Sequence, residues 1–289
     1  MDAKTIAEHL RLAADDGFVA KCAAWADLSG VDAEAFRQRV MERAKGRVIM
    51  CGVRFYGGDT SRRFVELVAD TKPGDGELDG VLADCLAAYA VLEPVAVRVF
   101  AKEKPTLPEG WHVAADTHLV TGTLADIAQH DSAGVVLEDV ATEEDAATVA
   151  WIASRYAAVE DEALRRNISA CVADDLAECR ETGRACWWKL PGETRPAGLI
   201  AVRREADHGV DGFCVVEEVA SDWAKGRGSA AQAQAALAGW LLDREPAETL
   251  IWGTIDDLNV ASQKTAARAG RKVEKSWWFC YPPGVTRWV

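Results

Sequence analysis

The stretch between residues 212 and 245 constrains the fold most, because a strand-like run, a glycine-rich turn and a helical run follow one another directly. GFCVVEEVA is rich in the apolar residues of strands, and SAAQAQAALAGWLLDRE is rich in helix-forming Ala and Leu. Lys225, Gly226, Arg227 and Gly228 immediately precede the helical run. The first N–H groups of a helix lack partners within it, and glycine lets an anion approach the backbone closely. The pattern predicts a phosphate cradle, although its spacing matches neither the Walker loop nor the dinucleotide-binding motif.

Strand-like and helix-like runs alternate along most of the chain, which predicts an α/β fold. Residues 2–46 have apolar positions at helical spacing, whereas residues 102–133 have no clear pattern. In the rest of the first half we predict strands at 48–55, 63–70 and 94–101 and a helix at 81–93. In the second half we predict strands at 134–140, 185–190, 198–204, 212–220, 248–255 and 272–281 and helices at 142–159, 161–182, 229–245 and 259–270.

Two segments of the chain, 48–101 and 198–255, have the same order of elements: strand, turn, strand, glycine-bearing loop, Ala-rich helix, strand. This order favours an internal duplication over a chance similarity. We therefore predict two domains, 1–133 and 134–289. The loop of the first segment contains Asp75, Glu77 and Asp79, opposed only by Lys72. Because acidic side chains at a helix start repel an anion, we expect the first domain to have no phosphate site.

Charge and composition exclude several classes of protein. The chain has 33 Lys and Arg against 46 Asp and Glu, and its net charge of −13 is spread over both halves, which makes nucleic acid an improbable partner. It has no apolar run near the ~20 residues of a membrane span and no signal peptide, so we expect a cytoplasmic protein. The eight cysteines form no CxxC pair and the five histidines have no metal-ligand spacing. This pattern predicts reduced thiols and no metal site.

The glycine-rich turn resembles motif A of the GNAT superfamily of N-acetyltransferases, in which Arg/Gln-x-x-Gly-x-Gly/Ala binds the pyrophosphate of acetyl-CoA. Here Lys225 takes the Arg/Gln position and Ala230 the last one. Downstream, LNVASQKTAARAGR resembles motif B of the family. The resemblance covers about 134–289. It implies two tandem GNAT-like domains, each a mixed, largely antiparallel twisted sheet flanked by helices, with a catalytic second domain and a degenerate first one.

The resemblance also implies how acetyl-CoA or another acyl-CoA would bind. The strand that carries Val219 and Ala220 would separate from its neighbour and pair through its amides with the pantetheine arm. An amide near Val219 would polarise the thioester carbonyl. The implied donor-binding residues are Val219, Ala220, Lys225, Gly226, Arg227, Gly228, Ser229, Ala230, Asn259 and Ser262.

Acyl transfer to an amine needs a base, and the resemblance places a carboxylate on the strand before motif A. Glu217 and Glu218 occupy that strand, and strand alternation sends them to opposite faces. We favour Glu217 slightly as the base; the alternative is that both are ordinary carboxylates at the rim of the site. The family's general-acid Tyr falls at Ala266. Tyr281 is a substitute acid or a packing residue, and Ser262 contacts the thioester sulfur or bonds back to its own helix.

The tryptophans are concentrated in the second half and include the pairs Trp187–Trp188 and Trp277–Trp278. Neighbours on a strand face opposite sides, so Trp187, Trp188 and Trp277 are candidate acceptor contacts or core residues. The first domain would cover the catalytic one, shape the acceptor cleft or form a homodimer.

We predict an N-acyltransferase that acts by direct attack of an amine on the donor. The acceptor would be a small metabolite or antibiotic, because the Ala-, Trp- and acid-rich composition is typical of a high-GC bacterium. Two alternatives stay open: a donor on a phosphopantetheinyl carrier protein in natural-product biosynthesis, or a catalytically inactive acyl-CoA-binding module.

Overall fold

The computed structural model describes residues 3–43, 47–69, 78–285 and 288. The chain divides into unit 1, Met1–Asp116 with Lys275–Val289, and unit 2, Thr117–Glu274. These bounds differ from the predicted domains 1–133 and 134–289, because the chain enters unit 2 within one strand and its last strand returns to unit 1. The predicted roles of the two domains remain predictions.

Unit 1 is a five-stranded arrangement with helices before and between its strands. Strand order is β1-β2-β3-β4-β11, and only β3 and β4 run parallel. Its core joins the strands to α3 through side chains such as Val65, Leu82 and Val97. The elements are α1 Ala3–Ala13, α2 Asp16–Ala26, β1 Arg39–Arg43, β2 Arg47–Phe55, β3 Arg63–Ala69, α3 Leu78–Ala88, β4 Ala96–Ala101, the first part of β5 His112–Thr123 and most of β11 Lys272–Tyr281.

Unit 2 contains a six-stranded arrangement in the order β5-β10-β9-β8-β7-β6, in which only β9 and β10 run parallel. Helix α8 packs on one face of these strands, where Leu237 and Leu241 meet Ile200 and Phe213. Helices α5 and α7 contribute to a second core with Leu199. The elements are the rest of β5, α4 Leu124–Ala128, β6 Val136–Asp139, α5 Asp145–Ala157, α6 Glu162–Asn167, α7 Ala173–Thr182, β7 Arg184–Lys189, β8 Gly198–Asp207, β9 Val210–Ala220, α8 Ser229–Leu242, β10 Leu250–Asp256 and α9 Val260–Arg268.

Most predicted elements are confirmed, with three corrections. Residues 39–43, predicted as helix, form strand β1, and the unassigned segment 102–133 contains the long strand β5. The single helix predicted at 161–182 is broken into α6 and α7. All eight cysteines are free thiols, as predicted.

The predicted repeat of element order is also confirmed. In both units an antiparallel hairpin is followed by a helix and by a strand parallel to the second hairpin strand: β2-β3-α3-β4 in unit 1 and β8-β9-α8-β10 in unit 2. In the acidic loop predicted for the first repeat, Lys72, Asp75 and Glu77 lie outside the described residues.

Candidate functional site

The two parallel strands of unit 2 pair over a short length and then separate. Pairing between β9 and β10 runs from Gly212–Leu250 to Cys214–Trp252, although β9 continues to Ala220 and β10 to Asp256. Beyond Cys214, β9 remains paired with β8 on its other side. We call the space between residues 215–220 of β9 and 253–256 of β10 the strand gap. It leaves one edge of β9 available for an extended ligand.

A β-bulge lies at the start of the strand gap. Ala201 of β8 pairs with Glu217 and its neighbour Val202 pairs with Val215, so Val216 is an extra residue in β9. A bulge increases local twist and redirects the strand. Val215 packs with the α8 core and Val216 with the α5–α7 core. The bulge therefore resets which side chains of β9 face each helix layer.

The glycine loop, residues 225–228, connects this strand to α8. Gly226 and Gly228 both have φ of +77°, which favours glycine, and a Cβ built on either would meet nothing within 4 Å. Gly228 is the N-cap of α8, and no side chain caps it. The start of α8 is thus an open set of backbone N–H groups that suits a phosphate oxygen. Ser229 is buried and lies close enough to accept a hydrogen bond from Trp188 Nε1, at 3.3 Å.

Basic side chains surround the glycine loop. Lys225 Nζ lies 2.7 Å from Asp222 Oδ1, and Arg155 of α5 pairs with the same carboxylate. Hydrogen bonds from Lys225 and Arg155 lower the pKa of Asp222. The guanidinium groups of Arg195 and Arg227 lie 4.1 and 5.5 Å from the ring of Trp223. Four cations therefore lie around one short loop of a chain whose net charge is −13.

Glu217 faces α5 and the segment before α7. Its side chain is 2% exposed and accepts hydrogen bonds from Tyr156 Oη at 2.6 Å, from Cys171 N at 3.2 Å and from Glu218 N at 3.2 Å. Burial raises the pKa of Glu217, and these hydrogen bonds offset only part of the effect. The carboxylate is held in one orientation and has a raised proton affinity, which suits a base.

Glu218 faces α8, on the opposite side of the strand, as predicted. It accepts a hydrogen bond from Gln234 Nε2 at 2.5 Å. Burial raises the pKa of Glu218 to about 7, although the positive charge of Arg271 acts in the other direction. Arg271 Nη1 in turn donates to Gln234 Oε1 at 3.4 Å. Three polar side chains thus lie in series under the strand gap.

The helix of motif B begins beside the end of β10. Asn259 is the N-cap of α9 and accepts a hydrogen bond from Ser262 N at 3.1 Å, so its side chain is engaged in capping. Ala266, at the position of the family's Tyr, is 2% exposed and packs with Val120 and Ile255. Apolar packing therefore replaces a hydroxyl at this position.

The remaining predicted site residues are mostly core residues. Tyr281 belongs to unit 1, is 1% exposed and packs in an aromatic cluster with Phe279. Trp277 stacks on Phe100 in unit 1, with ring centroids 4.2 Å apart. Trp188 is fully buried in the α8 core. These positions match the packing alternative.

Trp187 differs from the other predicted tryptophans, because it is partly buried and meets Trp151 of α5 edge to face. It packs against the same α5–α7 core as Val216 and Tyr156. Of the predicted acceptor contacts, Trp187 therefore has the surroundings that best fit the role.

Four polar residues of the site were not predicted from sequence. Tyr156 lies one helical turn after the buried Ile152, so a hydroxyl on the buried face of α5 was the available signal. Cys171, Gln234 and Arg271 carry no local signal, because their contacts come from distant elements. In the described part of the chain, no group of three or more His, Cys, Asp or Glu side chains is arranged to hold a metal ion. None of the described helices is long and apolar enough to cross a bilayer.

Comparison with known proteins identifies the fold. No protein-family model matches the chain, and no curated protein matches it. An acetyltransferase of the GNAT family from Colwellia psychrerythraea is 13% identical over 91% of this chain and 94% of its own, with a TM-score of 0.54. A GCN5-related N-acetyltransferase from Sphaerobacter thermophilus is 14% identical over 90% of this chain and 85% of its own, with a TM-score of 0.52. The chain has the mixed α/β fold of the GNAT acetyltransferases.

Proposed function

We propose that this chain is an N-acyltransferase that transfers an acetyl or other short acyl group from acyl-CoA to an amine of a small metabolite or antibiotic. The observation that carries the proposal is the strand gap, which opens between a buried carboxylate, Glu217, and an uncapped glycine loop. A thioester donor needs both an extended edge for its arm and a cradle for its phosphates.

Donor binding is proposed for the glycine loop and the free edge of β9. The N–H groups at the start of α8 would bind the pyrophosphate, with Lys225 and Arg227 adding positive charge. Val219 and Ala220 would pair with the pantetheine arm, and the amide near Val219 would polarise the thioester carbonyl. Asn259 would keep its place as the cap of α9, with Ser262 beside the arm.

Glu217 is the proposed base. An amine with a pKa near 10.4 is almost fully protonated at pH 7, and freeing its lone pair costs roughly 4–5 kcal/mol. A buried carboxylate of raised pKa accepts that proton more readily than an exposed one. The free amine then attacks the thioester: a C–N bond forms, the C–S bond breaks, the nitrogen gives up one further proton, and the leaving thiolate takes up one proton. Bound acyl-CoA supplies the activated acyl carbon.

The proton for the thiolate has no tyrosine donor at position 266. Ser262, partly buried on α9, is the proposed contact of the sulfur. Tyr281 packs in the core of unit 1, and we assign it no proton transfer. Unit 1 is proposed to have a structural role without a donor site of its own.

A carrier-protein donor is the second candidate, and the four cations around the glycine loop favour it. Asp222 and Glu193 pair with three of these four cations, so the surface around the loop keeps a smaller net positive charge that would suit an acidic carrier. The same cations suit the phosphates of CoA. Transfer from an acyl-carrier protein but not from acyl-CoA would establish this second candidate.

Calorimetric titration with acetyl-CoA and free CoA tests the proposed donor site. We expect micromolar binding by the wild type and its loss in Gly228→Glu, because a carboxylate would occupy the phosphate cradle. Gly30→Glu is the matched control: Gly30 has φ of +78° and open space around its Cβ position, so it carries the same strain and the same charge in unit 1. Binding that survives in Gly228→Glu would overturn the cradle assignment.

A panel of small amines, with thiol release as the readout, tests catalysis itself. Thiol release that depends on both the amine and the donor would support transfer. CoA binding without release for any amine would favour the inactive acyl-CoA-binding module.

A further inference from the structure

One buried cation lies at the point where β9 and β10 separate. Gly253 is the first residue of β10 beyond the last pair, Trp252–Cys214. A Cβ built on Gly253 would lie 3.1 Å from Arg271 Nη2 and 3.4 Å from Val215 Cβ. The guanidinium of Arg271 is therefore at the closed end of the strand gap.

Two strand glycines make room for this side chain. A Cβ built on Gly122 of β5 would lie 3.1 Å from Arg271 Cγ, and one built on Gly253 of β10 would lie 3.1 Å from Arg271 Nη2. Both glycines therefore leave room for the Arg271 side chain. Glycine within a strand is destabilising and often marks a close approach. The two strands are thus shaped around a charged side chain, and Arg271 has a defined place in the fold.

The guanidinium has few hydrogen bonds for a buried group. Arg271 is 4% exposed, Nη1 donates to Gln234 Oε1 at 3.4 Å and Nη2 donates to Val120 O at 3.3 Å. Among the described residues, Nε has no hydrogen-bond partner. Glu218 is joined to Arg271 through Gln234. Buried cations in proteins are normally paired and fully bonded, so this one has capacity for a further acceptor group.

We propose that Arg271 binds a carboxylate on the acyl group of the donor, so that the preferred donors are thioesters of short dicarboxylic acids such as malonyl-CoA or succinyl-CoA. This inference rests on the proposed function, which places the acyl end of the donor in the strand gap. A planar guanidinium with a free Nε–H matches the two oxygens of a carboxylate.

The charges around Arg271 allow a second carboxylate to enter. Glu218 lies on the same side of the strand gap and has a pKa of about 7, so it can take up a proton when another negative charge arrives. The bound site would then hold one guanidinium, one acyl carboxylate and one neutral Glu218, with Gln234 between the two protein groups.

Calorimetric titration with matched donors tests the inference. Malonyl-CoA is compared with propionyl-CoA, and succinyl-CoA with butyryl-CoA, because each pair differs by a carboxylate in place of a methyl group. Free CoA has no acyl group, so its affinity measures donor binding without any acyl contact. We expect the wild type to bind the carboxylated member of at least one pair about 10-fold more tightly or better.

The variants are Arg271→Met, Arg271→Lys and the control Lys272→Met. Lys272 is exposed and directly follows Arg271, so its replacement removes the same charge from the surface. We expect Arg271→Met to lose the preference, Arg271→Lys to keep part of it and Lys272→Met to keep all of it. If Arg271→Met does not fold, Arg271→Lys still tests the inference, because it keeps the charge but loses the planar fork.

Equal binding within both pairs by the wild type would overturn the inference and leave the proposed function intact. A preference for the carboxylated donor that survives in both Arg271 variants would overturn it as well, because another group would then bind the carboxylate. If neither free CoA nor any acyl-CoA binds, the acyl-CoA donor of the proposed function fails, and the inference fails with it.

Discussion

Unit 1 and unit 2 each contain a parallel pair of strands, β3–β4 and β9–β10, and these pairs differ in how far the pairing continues. In unit 1, β3 and β4 pair over four positions, and Glu66 and Arg98 lie directly opposite each other. Arg98 Nη2 lies 2.5 Å from Glu66 Oε2 and Nη1 lies 2.8 Å from Asp116 Oδ2, so an ion pair ties the two strands together. In unit 2, β9 and β10 pair over three positions and then separate at the strand gap.

Each pair has a carboxylate on the second strand of its hairpin, but at a different place. Glu66 lies opposite Arg98 within the paired part of β3, whereas Glu217 lies three residues beyond Cys214, the last residue of β9 that pairs with β10. Glu66 is neutralised by a guanidinium. Within the described residues, the donors that reach Glu217 are uncharged: a phenol, two backbone amides and the thiol of Cys171. The second hairpin strand of the repeat thus carries a cross-strand tie in one unit and a carboxylate with raised pKa in the other.

The largest effect is expected from Glu217→Gln, which removes the proposed base but keeps the shape of the side chain. We expect kcat/KM for amine acylation to fall by about 10²–10⁴-fold with donor binding retained. Glu66→Gln is the matched change in unit 1 and is expected to lower stability while kcat/KM stays near that of the wild type. Equal losses of kcat/KM in the two variants would break the distinction between the two carboxylates.

The second-largest effect is expected from loss of the ion pairs that Arg98 makes in unit 1. Arg98→Met leaves Glu66 and the buried Asp116 without their cation, and burial already raises the pKa of Asp116. We expect the free energy of unfolding to fall by about 3 kcal/mol, measured by urea denaturation. Arg11→Met, which removes an exposed arginine of the same unit, should change it much less, because solvent screens a surface ion pair. Similar values for the two variants would show that the tie contributes little.

A smaller effect is expected from Tyr156→Phe. The hydrogen bond from Tyr156 lowers the pKa of Glu217, so its loss raises that pKa further. Because the base acts only when deprotonated, the acidic limb of the kcat/KM profile should move to higher pH, with about 10-fold lower activity on that limb. Tyr89→Phe removes a buried hydroxyl in unit 1 and should leave the limb in place. An unmoved limb in Tyr156→Phe would argue against Glu217 as the base.

The smallest effect is on the pH dependence of stability. The pKa of Glu218 is about 7 in the folded protein, against 4.5 without burial, so the folded state binds more protons between these values. Stability contributed by this group is full below about pH 4.5 and is lost as the pH rises to about 7. Glu218→Gln should flatten this part of the curve of unfolding free energy against pH. An unchanged slope would show that Glu218 titrates normally.

Sequence patterns predicted the elements that depend on local signals. Helix α9 ends before Gly270, which has φ of +83°, and α8 begins directly after the glycine loop. Glycine marks both boundaries, so each could be predicted from the local sequence. Strand β5, His112–Thr123, was not predicted, since its Ala, Asp and Gly residues form strands weakly and its pairing with β10 determines its structure. The same holds for β1, which pairs with β2.

Within the candidate site, alternation was enough to place Glu217 and Glu218 on opposite faces. It was not enough to reveal the break between α6 and α7, where the backbone N–H of Cys171 binds Glu217. The burial of Arg271 depends on glycines in two other strands, and no local pattern records that arrangement. Contacts between distant elements therefore could not be predicted from local sequence patterns.

The β-bulge at Val216 also affects which side of β9 the two glutamates would face in related proteins. Counted by simple alternation from Phe213, which packs on the α8 core, Glu217 would fall on the α8 side; the bulge transfers it to the α5–α7 side and Glu218 to the α8 side. A relative that lost this one residue would regain regular pairing with β8 and keep both glutamates on their present sides. A relative that kept the residue but paired β9 regularly with β8 would exchange the sides that the two glutamates face, without mutating either. Aligning such sequences by residue identity would then pair chemically different positions, and only the structure would reveal it.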